Sequence, residues 1–492
     1  MSAKKTNVLF IYLDQISCDT LKCNGNQICQ TPHIDRLMKD GVYFDRAYTS
    51  CPLCSPARAS VMTGQFPHNH KITNNVKNPG THDELPENGR ILPEILKKDG
   101  YNLGHSGKWH LGDRLPSFYG FKGNNFKGHG SGGFSGEDYQ KYLKENNLNA
   151  GKLKDPVSLD GARAVGGKLT CNIEATVPYY LVETSINLLK EFNRNFLNNG
   201  TPFFVECHFW GPHQPCFAPE PYASMYADAE IPPWENFGVD DSDKSYASQL
   251  MGKDMDKYGW DFFVKIVKSY YAFTTFIDSQ IGRLFDALEE LSLYDDTLVI
   301  FSSDHGGFWG HRRGFFDKGV VLYEETNRIP LIVKPPGNSN AGTVNHNLVS
   351  TIDFLPTFLD YTGGIIPPET CEGQSLRPLL ENTPVQWRNY AVTEFDSLAH
   401  FHYSARAIVK DGCKLIFNLL DHDEFYDLVK DPHETRNEIN NPSYSERVKD
   451  LARTLIEHCR RSRDDIWISL KKEYFPDAEK KTITHSFFDV VV

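Results

Sequence analysis

The chain has 492 residues, of which 40% are hydrophobic and 24% charged, with a net charge of −12. That length suits one large domain plus a smaller one, and the composition is that of a globular protein. The negative balance excludes a general nucleic-acid surface, which shows as a basic excess, and no apolar run reaches the length of a membrane span.

Asn7 to Leu13 is an unbroken apolar run ending in Asp14-Gln15. Such a run suits a central parallel strand covered on both faces. Asp14 would then stand at the carboxyl edge of the sheet, where open α/β folds place ligands. Thr31 to Gly41 reads as a helix with Pro32 near its start, and Val42 to Tyr48 as a second strand. Next comes Cys51-Pro-Leu-Cys54-Ser-Pro56-Ala-Arg58, ending in Thr63-Gly64. Pro56 fits the first turn of a helix, which puts Cys54 at the helix mouth, where free N–H groups and the dipole favour negative charge. Arg58 adds a permanent cation. The stretch is built for an anion.

Ile91 to Lys98 reads as an amphipathic helix and Tyr101 to His105 as a strand leading into Gly107-Lys108-Trp109-His110. Lys108 and His110, two apart, share one side of an extended segment and suit an anionic transition state. Residues 113–167 are rich in Gly, Asn and Lys and predict loops and short helices. The run Gly128 to Gly133 lacks the Lys-Ser/Thr ending of a phosphate-binding loop. Tyr179 to Leu197 has helical spacing, and Pro202 to Trp210 is another buried strand, followed by Gly211-Pro-His213-Gln-Pro215. Trp260 to Leu293 predicts one long helix or two. Thr297 to Ser303 is a further strand of the parallel type, ending in Asp304-His305-Gly306, with His311 and Lys318 downstream. Arg328 to Lys334 reads as one buried strand, and Ser350 to Gly363 as a helix.

After Leu380 the pattern changes to short alternating segments, Tyr390 to Glu394, Ala405 to Lys410, Lys414 to Asn418 and Glu424 to Leu428. Alternation without intervening helices predicts a small antiparallel sheet, with a helix from Ser443 to His458 packed on it. The expected fold is α/β: a large, mostly parallel sheet flanked by helices on both faces, with a smaller C-terminal α+β subdomain. The boundary falls near residue 385, giving regions 1–385 and 386–492. Each polar group above also has a plain structural reading. Asp14 can cap a helix, Cys54 can be a small buried hydrophobe, and Lys108, His110, His213 and the Asp304-His305 pair can be loop residues.

Cys-X-Pro-X-Arg followed by Thr-Gly resembles the signature of the type I sulfatases, in the alkaline-phosphatase-like superfamily, with Ala57 where many members have serine. Gly-Lys-Trp-His resembles their second signature. The Asp14 strand, the Pro-His loop, the Asp-His-Gly segment, Lys318 and the C-terminal sheet extend the likeness over nearly the whole chain. The resemblance implies a sulfuric ester hydrolase in which a maturation enzyme converts Cys54 to formylglycine, whose hydrate is the nucleophile. It implies one divalent cation held by Asp14, Gln15, Asp304, His305 and the side chain at position 54. Members more often have Asp-Asp and Asp-Asn at the paired positions, so Gln15 removes a charge and His305 brings nitrogen. Ca²⁺ is the ion expected by resemblance, with Mn²⁺ or Zn²⁺ second.

The same resemblance gives roles. Arg58 and His110 position the hydrate, and His110 takes a proton from its second hydroxyl. Lys108 and Lys318 neutralise growing charge, and His213 protonates the departing alcohol. The substrate expected is a sulfated carbohydrate or small organic alcohol. Trp210, Trp309, Arg312 and Arg313 are candidate cleft residues, with ordinary packing an equal reading for each. Two other functions fit the motifs: a phosphonate monoester or phosphodiester hydrolase using the same formylglycine, and a non-catalytic binding relative. The wording around Cys54 is also close to that of choline sulfatases. Eleven scattered cysteines argue against a disulfide framework, and Cys18, Cys23 and Cys29 lack paired zinc-site spacing. The Val8 to Leu13 run is too short for a signal h-region. A reduced, cytoplasmic protein without membrane partners is expected.

Overall fold

The computed structural model describes residues 5–476 except 125, 127–135, 160, 162, 254, 256, 338–339 and 366–369. The Gly128 to Gly133 reading lies outside these residues. The centre is an eight-stranded sheet in the order Thr343–Asn345, Val42–Phe44, Leu331–Lys334, Thr297–Ser303, Asn7–Asp14, Phe203–Pro212, Asn102–Gly107, Lys122–Gly123. From Thr297–Ser303 to Lys122–Gly123 every neighbouring pair is parallel. The fold class is therefore the one expected.

Alternation along Asn7–Asp14 sends Leu9, Ile11 and Leu13 to one face of the sheet and Val8, Phe10 and Tyr12 to the other. On the first face lie the helices Pro32–Asp40, Val177–Asn199 and Trp260–Glu290, the last a single helix of 31 residues. On the second lie Cys54–Thr63, Leu92–Lys98 and Phe354–Thr362. With both faces covered, ligands can approach only at the strand ends.

Two expectations need correction. Arg328 to Lys334 is not one strand: Pro330 splits it into Arg328–Ile329, in a three-stranded sheet, and Leu331–Lys334, which runs antiparallel to both neighbours in the main sheet. Within 113–167, Leu153–Leu159 and Arg163–Leu169 form an antiparallel pair that continues onto Cys216–Pro219. Apolar residues are too sparse there to show the period of two.

The C-terminal sheet is a meander of Tyr390–Leu398, Phe401–Lys410, Cys413–Asn418 and Glu424–Asp427, all antiparallel, with Ser445–Ser462 packed on it. No helix among the described residues is long and apolar enough to cross a membrane.

Candidate active site

Asp14 and Asp304 leave adjacent parallel strands at the same edge, and the amide of Asp304 donates to Leu13 O at 3.2 Å. Cys54 opens the Cys54–Thr63 helix, which aims its N-terminal dipole at the same edge. Its Sγ lies 3.3 Å from His305 Nε2 and 3.9 Å from Asp14 Oδ1. The donor atoms of Asp14, Cys54, Asp304 and His305 all lie within 4.8 Å of one another, and all four residues are buried.

Five positive or titratable groups surround this floor. One turn into the helix, Arg58 reaches both carboxylates, with Nη2 3.3 Å from Asp14 and 2.9 Å from Asp304. Lys108 Nζ pairs with Asp14 Oδ2, and its amide donates to His208 O at 2.9 Å, carrying the strand ladder one residue past Asn102–Gly107. Lys318 Nζ donates to His213 Nε2 at 2.7 Å, to Asp317 Oδ1 at 3.2 Å and to Gln15 Oε1 at 3.3 Å. His213 is tied to the floor by its amide, which donates to Asp14 O at 3.0 Å. His110 is fixed through its carbonyl, which accepts from Ser55 Oγ at 2.7 Å. Gln15 (φ 64) and His110 (φ 56) both hold left-handed backbone, which is uncommon outside glycine and concentrates at functional sites.

The charges work against burial. Desolvation would raise Asp14, but Lys108, His213 and Arg58 hold it well below the usual carboxylate range. Burial and Asp14 would raise the Cys54 thiol, yet Lys108, Lys318 and His305 bring it below its ordinary value. Burial and the adjacent Lys318 push His213 down to about 4, so it is neutral near pH 7. Its Nδ1 lies 2.6 Å from Gln214 O, which places the ring proton on that nitrogen and leaves Nε2 to accept from Lys318.

The donor set fits a divalent cation. His305 Nδ1 lies 2.7 Å from Gly306 O, so Nε2 faces the carboxylates. Burial pulls the ring down, but Asp304 and Cys54 overcome it and lift it to about 9. A bound cation would take the place of the Nε2 proton, in the outer-shell arrangement of metal-bound histidines. Gln15 lies beside the floor, but its amide engages Lys318 and Gln214.

Cys54, Lys108, His110, His213 and Lys318 line one cavity of about 150 Å³. Of the cleft candidates, Trp210 lines it too. Trp309 and Arg312 do not. Trp309 is buried and stacked on Tyr270 at 4.0 Å, and Arg312 is buried over Tyr323, donating to Glu434 O at 3.0 Å. Arg313 is also outside the lining. Cys18, Cys23 and Cys29 form no metal-capable group among the described residues. Sequence reasoning missed Asn75, whose Oδ1 accepts from Ser55 N at 3.1 Å, and Gln214. The Gln between two prolines after His213 was the available signal. It also missed the buried group His105, Glu206 and His208 behind Arg58.

Preorganised cations and a metal-capable floor stabilise charge developing on the ester of an oxyacid. That defines the class: a hydrolase of anionic esters whose site lies at the strand ends of a covered α/β sheet. A family model described as Sulfatase matches residues 6–365, and one described as N-sulphoglucosamine sulphohydrolase, C-terminal, matches residues 311–461. The chain belongs to the sulfatase family, and its reaction is sulfuric ester hydrolysis. It is 30% identical over 484 residues to an arylsulfatase of Clostridium perfringens, covering 92% of this chain and 94% of that one. It is 26% identical over 529 residues to an N-acetylglucosamine-6-O-sulfatase of Bacteroides thetaiotaomicron, covering 94% and 88%. In fold it is similar to a phosphonate monoester hydrolase of Agrobacterium radiobacter, with a TM-score of 0.73 at 24% identity over 96% of each chain.

Proposed function

We propose that position 54, as formylglycine, is the nucleophile of a metal-assisted sulfatase, and that Asp14, Asp304, His305 and position 54 hold the ion. The observation that carries this reading is the convergence of Cys54 with two carboxylates, an imidazole, Arg58 and two lysines at one sheet edge. The aldehyde hydrate supplies a hydroxyl to attack sulfur and a second hydroxyl through which the aldehyde is restored. The cation supplies charge for activating an oxygen nucleophile. Ca²⁺ is the ion proposed, with Gln15 able to add an amide oxygen by turning from Lys318.

The chain's own residues do the rest. Arg58 locks the two carboxylates in place with a rigid fork. Lys108 and Lys318 face the cavity from two sides and neutralise charge on the sulfuryl oxygens. His110 stands at the cavity wall to take the proton of the second hydroxyl. His213 is neutral, with its ring proton on Nδ1 and Nε2 accepting from Lys318, so the Lys318 ammonium carries the proton offered to the departing alcohol and His213 holds that ammonium in place. All eleven cysteines are unpaired, which fits a reducing compartment such as the cytoplasm.

Co-production with a formylglycine-generating enzyme should lower the mass of the Cys54 peptide by about 18 Da. The converted protein should hydrolyse 4-nitrophenyl sulfate, and Cys54→Ala should abolish turnover. Fully converted protein that left the ester intact while hydrolysing a phenyl phosphonate ester would make it a phosphonate hydrolase instead. Chelation should remove activity and Ca²⁺ restore it; recovery with Mn²⁺ or Zn²⁺ alone would reassign the ion.

A further inference from the structure

Arg58 is buried, and a buried guanidinium needs an acceptor for the N–H on Nε and for both N–H groups on each Nη. Nε and Nη2 meet Asp304, Nη2 also meets Asp14, and one N–H of Nη1 goes to Lys108 O. The other N–H of Nη1 has His208, whose Nδ1 stands 3.5 Å away. That Nδ1 is also 3.3 Å from Lys108 O, and the His208 carbonyl accepts the Lys108 amide at 2.9 Å. Both cations that meet Asp14 therefore touch one buried histidine in Phe203–Pro212.

The His208 ring is held from its far side. Alternation puts Glu206 and His208 on one face of their strand, and His105 stands opposite Glu206 on the parallel neighbour Asn102–Gly107. His105 Nδ1 lies 2.6 Å from Glu206 Oε1. Glu206 Oε2 faces His208 Nε2 at 3.6 Å, and both atoms are buried with no closer partner among the described residues. Phe10 and His105 meet the ring edge to face, with centroids 5.4 and 5.2 Å away. Burial, His105 and Arg58 hold His208 well below its ordinary value, so the ring carries a single proton. The carboxylate oxygen opposite Nε2 draws that proton there, because a lone pair at Nε2 would face another lone pair. Nδ1 is left as an acceptor turned toward Arg58. At 3.5 Å the contact is long, as catalytic hydrogen bonds often are before substrate binds.

We propose that His208 is a positioning residue for the reaction: its Nδ1 accepts from Arg58 and, backed by Glu206 and His105, fixes the guanidinium that sets Asp14 against Asp304. This role rests on the sulfatase reading above and extends it to a layer of side chains behind the floor.

A double-mutant cycle of His208→Leu and Arg58→Lys tests it, read as kcat per formylglycine on 4-nitrophenyl sulfate with the metal supplied. His208→Leu should lower kcat about tenfold beside Arg58, yet less than about twofold beside Lys at that position, where the fork it serves is gone. No loss, or equal losses in both backgrounds, would overturn the proposal, since packing alone acts whatever occupies position 58. His208→Asn can place an amide oxygen near the site of Nδ1 and should recover most of the loss. Folded His208→Asn as impaired as His208→Leu would count against the acceptor role. Calorimetric titration with Ca²⁺ reads the floor apart from turnover, and His208→Leu should weaken binding by about tenfold. Wild-type affinity alongside wild-type kcat would overturn the proposal while leaving the sulfatase reading intact. Wild-type protein that neither bound Ca²⁺ nor hydrolysed the ester would sink that reading, and this role with it.

Discussion

Arg58 holds the charge balance of the site. Its Nε and Nη2 engage Asp304, Nη2 also meets Asp14, and Nη1 donates to Lys108 O at 3.2 Å, so one planar group joins three elements. Lysine cannot reproduce that fork. Arg58→Lys should therefore lower kcat on 4-nitrophenyl sulfate by about a hundredfold, the scale of losing one preorganised donor, while circular dichroism stays unchanged. Wild-type kcat would show the fork to be dispensable. Behind Arg58, His105 Nδ1 meets Glu206 Oε1 at 2.6 Å, both fully buried on adjacent parallel strands. Glu206→Leu leaves the buried His105 imidazole without its hydrogen-bond partner and should cost about 2 kcal/mol in urea unfolding. A loss under 1 kcal/mol would mean the pair contributes little. The motifs made Asp14, Cys54 and Asp304 visible in the sequence because each ends an apolar run or opens a helix. Glu206 was passed over inside Val205-Glu206-Cys207-His208, although a carboxylate in a strand buried on both faces demands a partner.

At the scale of elements, the parallel core was legible because Asn7–Asp14, Phe203–Pro212 and Thr297–Ser303 are dominated by β-branched, aromatic and other apolar residues, with Glu206 and His208 the charged or titratable interruptions of the second. Strand direction was not. Leu331–Lys334 is as apolar as its neighbours, and only the crossover geometry sets it antiparallel. Gly107 shows how an element end places a functional group. Its φ is 113, and an added Cβ would lie 1.8 Å from His208 O, the acceptor of the Lys108 amide. Glycine is required because the chain turns there against the neighbouring backbone. Gly107→Ala should destabilise the fold by about 2 kcal/mol or more. It should also move Lys108 off Asp14, so activity falls further than the unfolded fraction explains. Stability and kcat both at wild-type levels would show that the backbone yields freely.

For the whole molecule, the small sheet is fastened to the chain on both sides of the Cys54 helix. Glu394 N donates to Ser50 O and Thr393 Oγ1 to Thr49 O, both at 2.8 Å, while His68 lies 2.7 Å from Glu394 Oε1 and 2.8 Å from Ser462 O. Three histidines at this junction titrate in opposite senses. Burial pulls His68 down, but Glu394 and Asp464 overcome it and lift it to about 9. Burial takes His70 and His458 down to about 3, and the charge on His68 adds to both shifts. Below pH 6.5 the His68 contribution is complete, and it is lost as pH rises from there through 9. The contributions of His70 and His458 are complete above 6.5 and are lost as pH falls toward 3. Between them, stability from this junction peaks near pH 6.5. A rise from 6.5 to about 9 corresponds to about 3 kcal/mol. His68→Gln keeps a hydrogen-bonding side chain but cannot charge. The gap in unfolding free energy between wild type and His68→Gln should therefore shrink by about that amount between pH 6 and pH 10, while the acid limb set by His70 and His458 persists in the variant. A gap constant across that range would mean that His68 is not a charged tie between the sheet and the Cys54 segment.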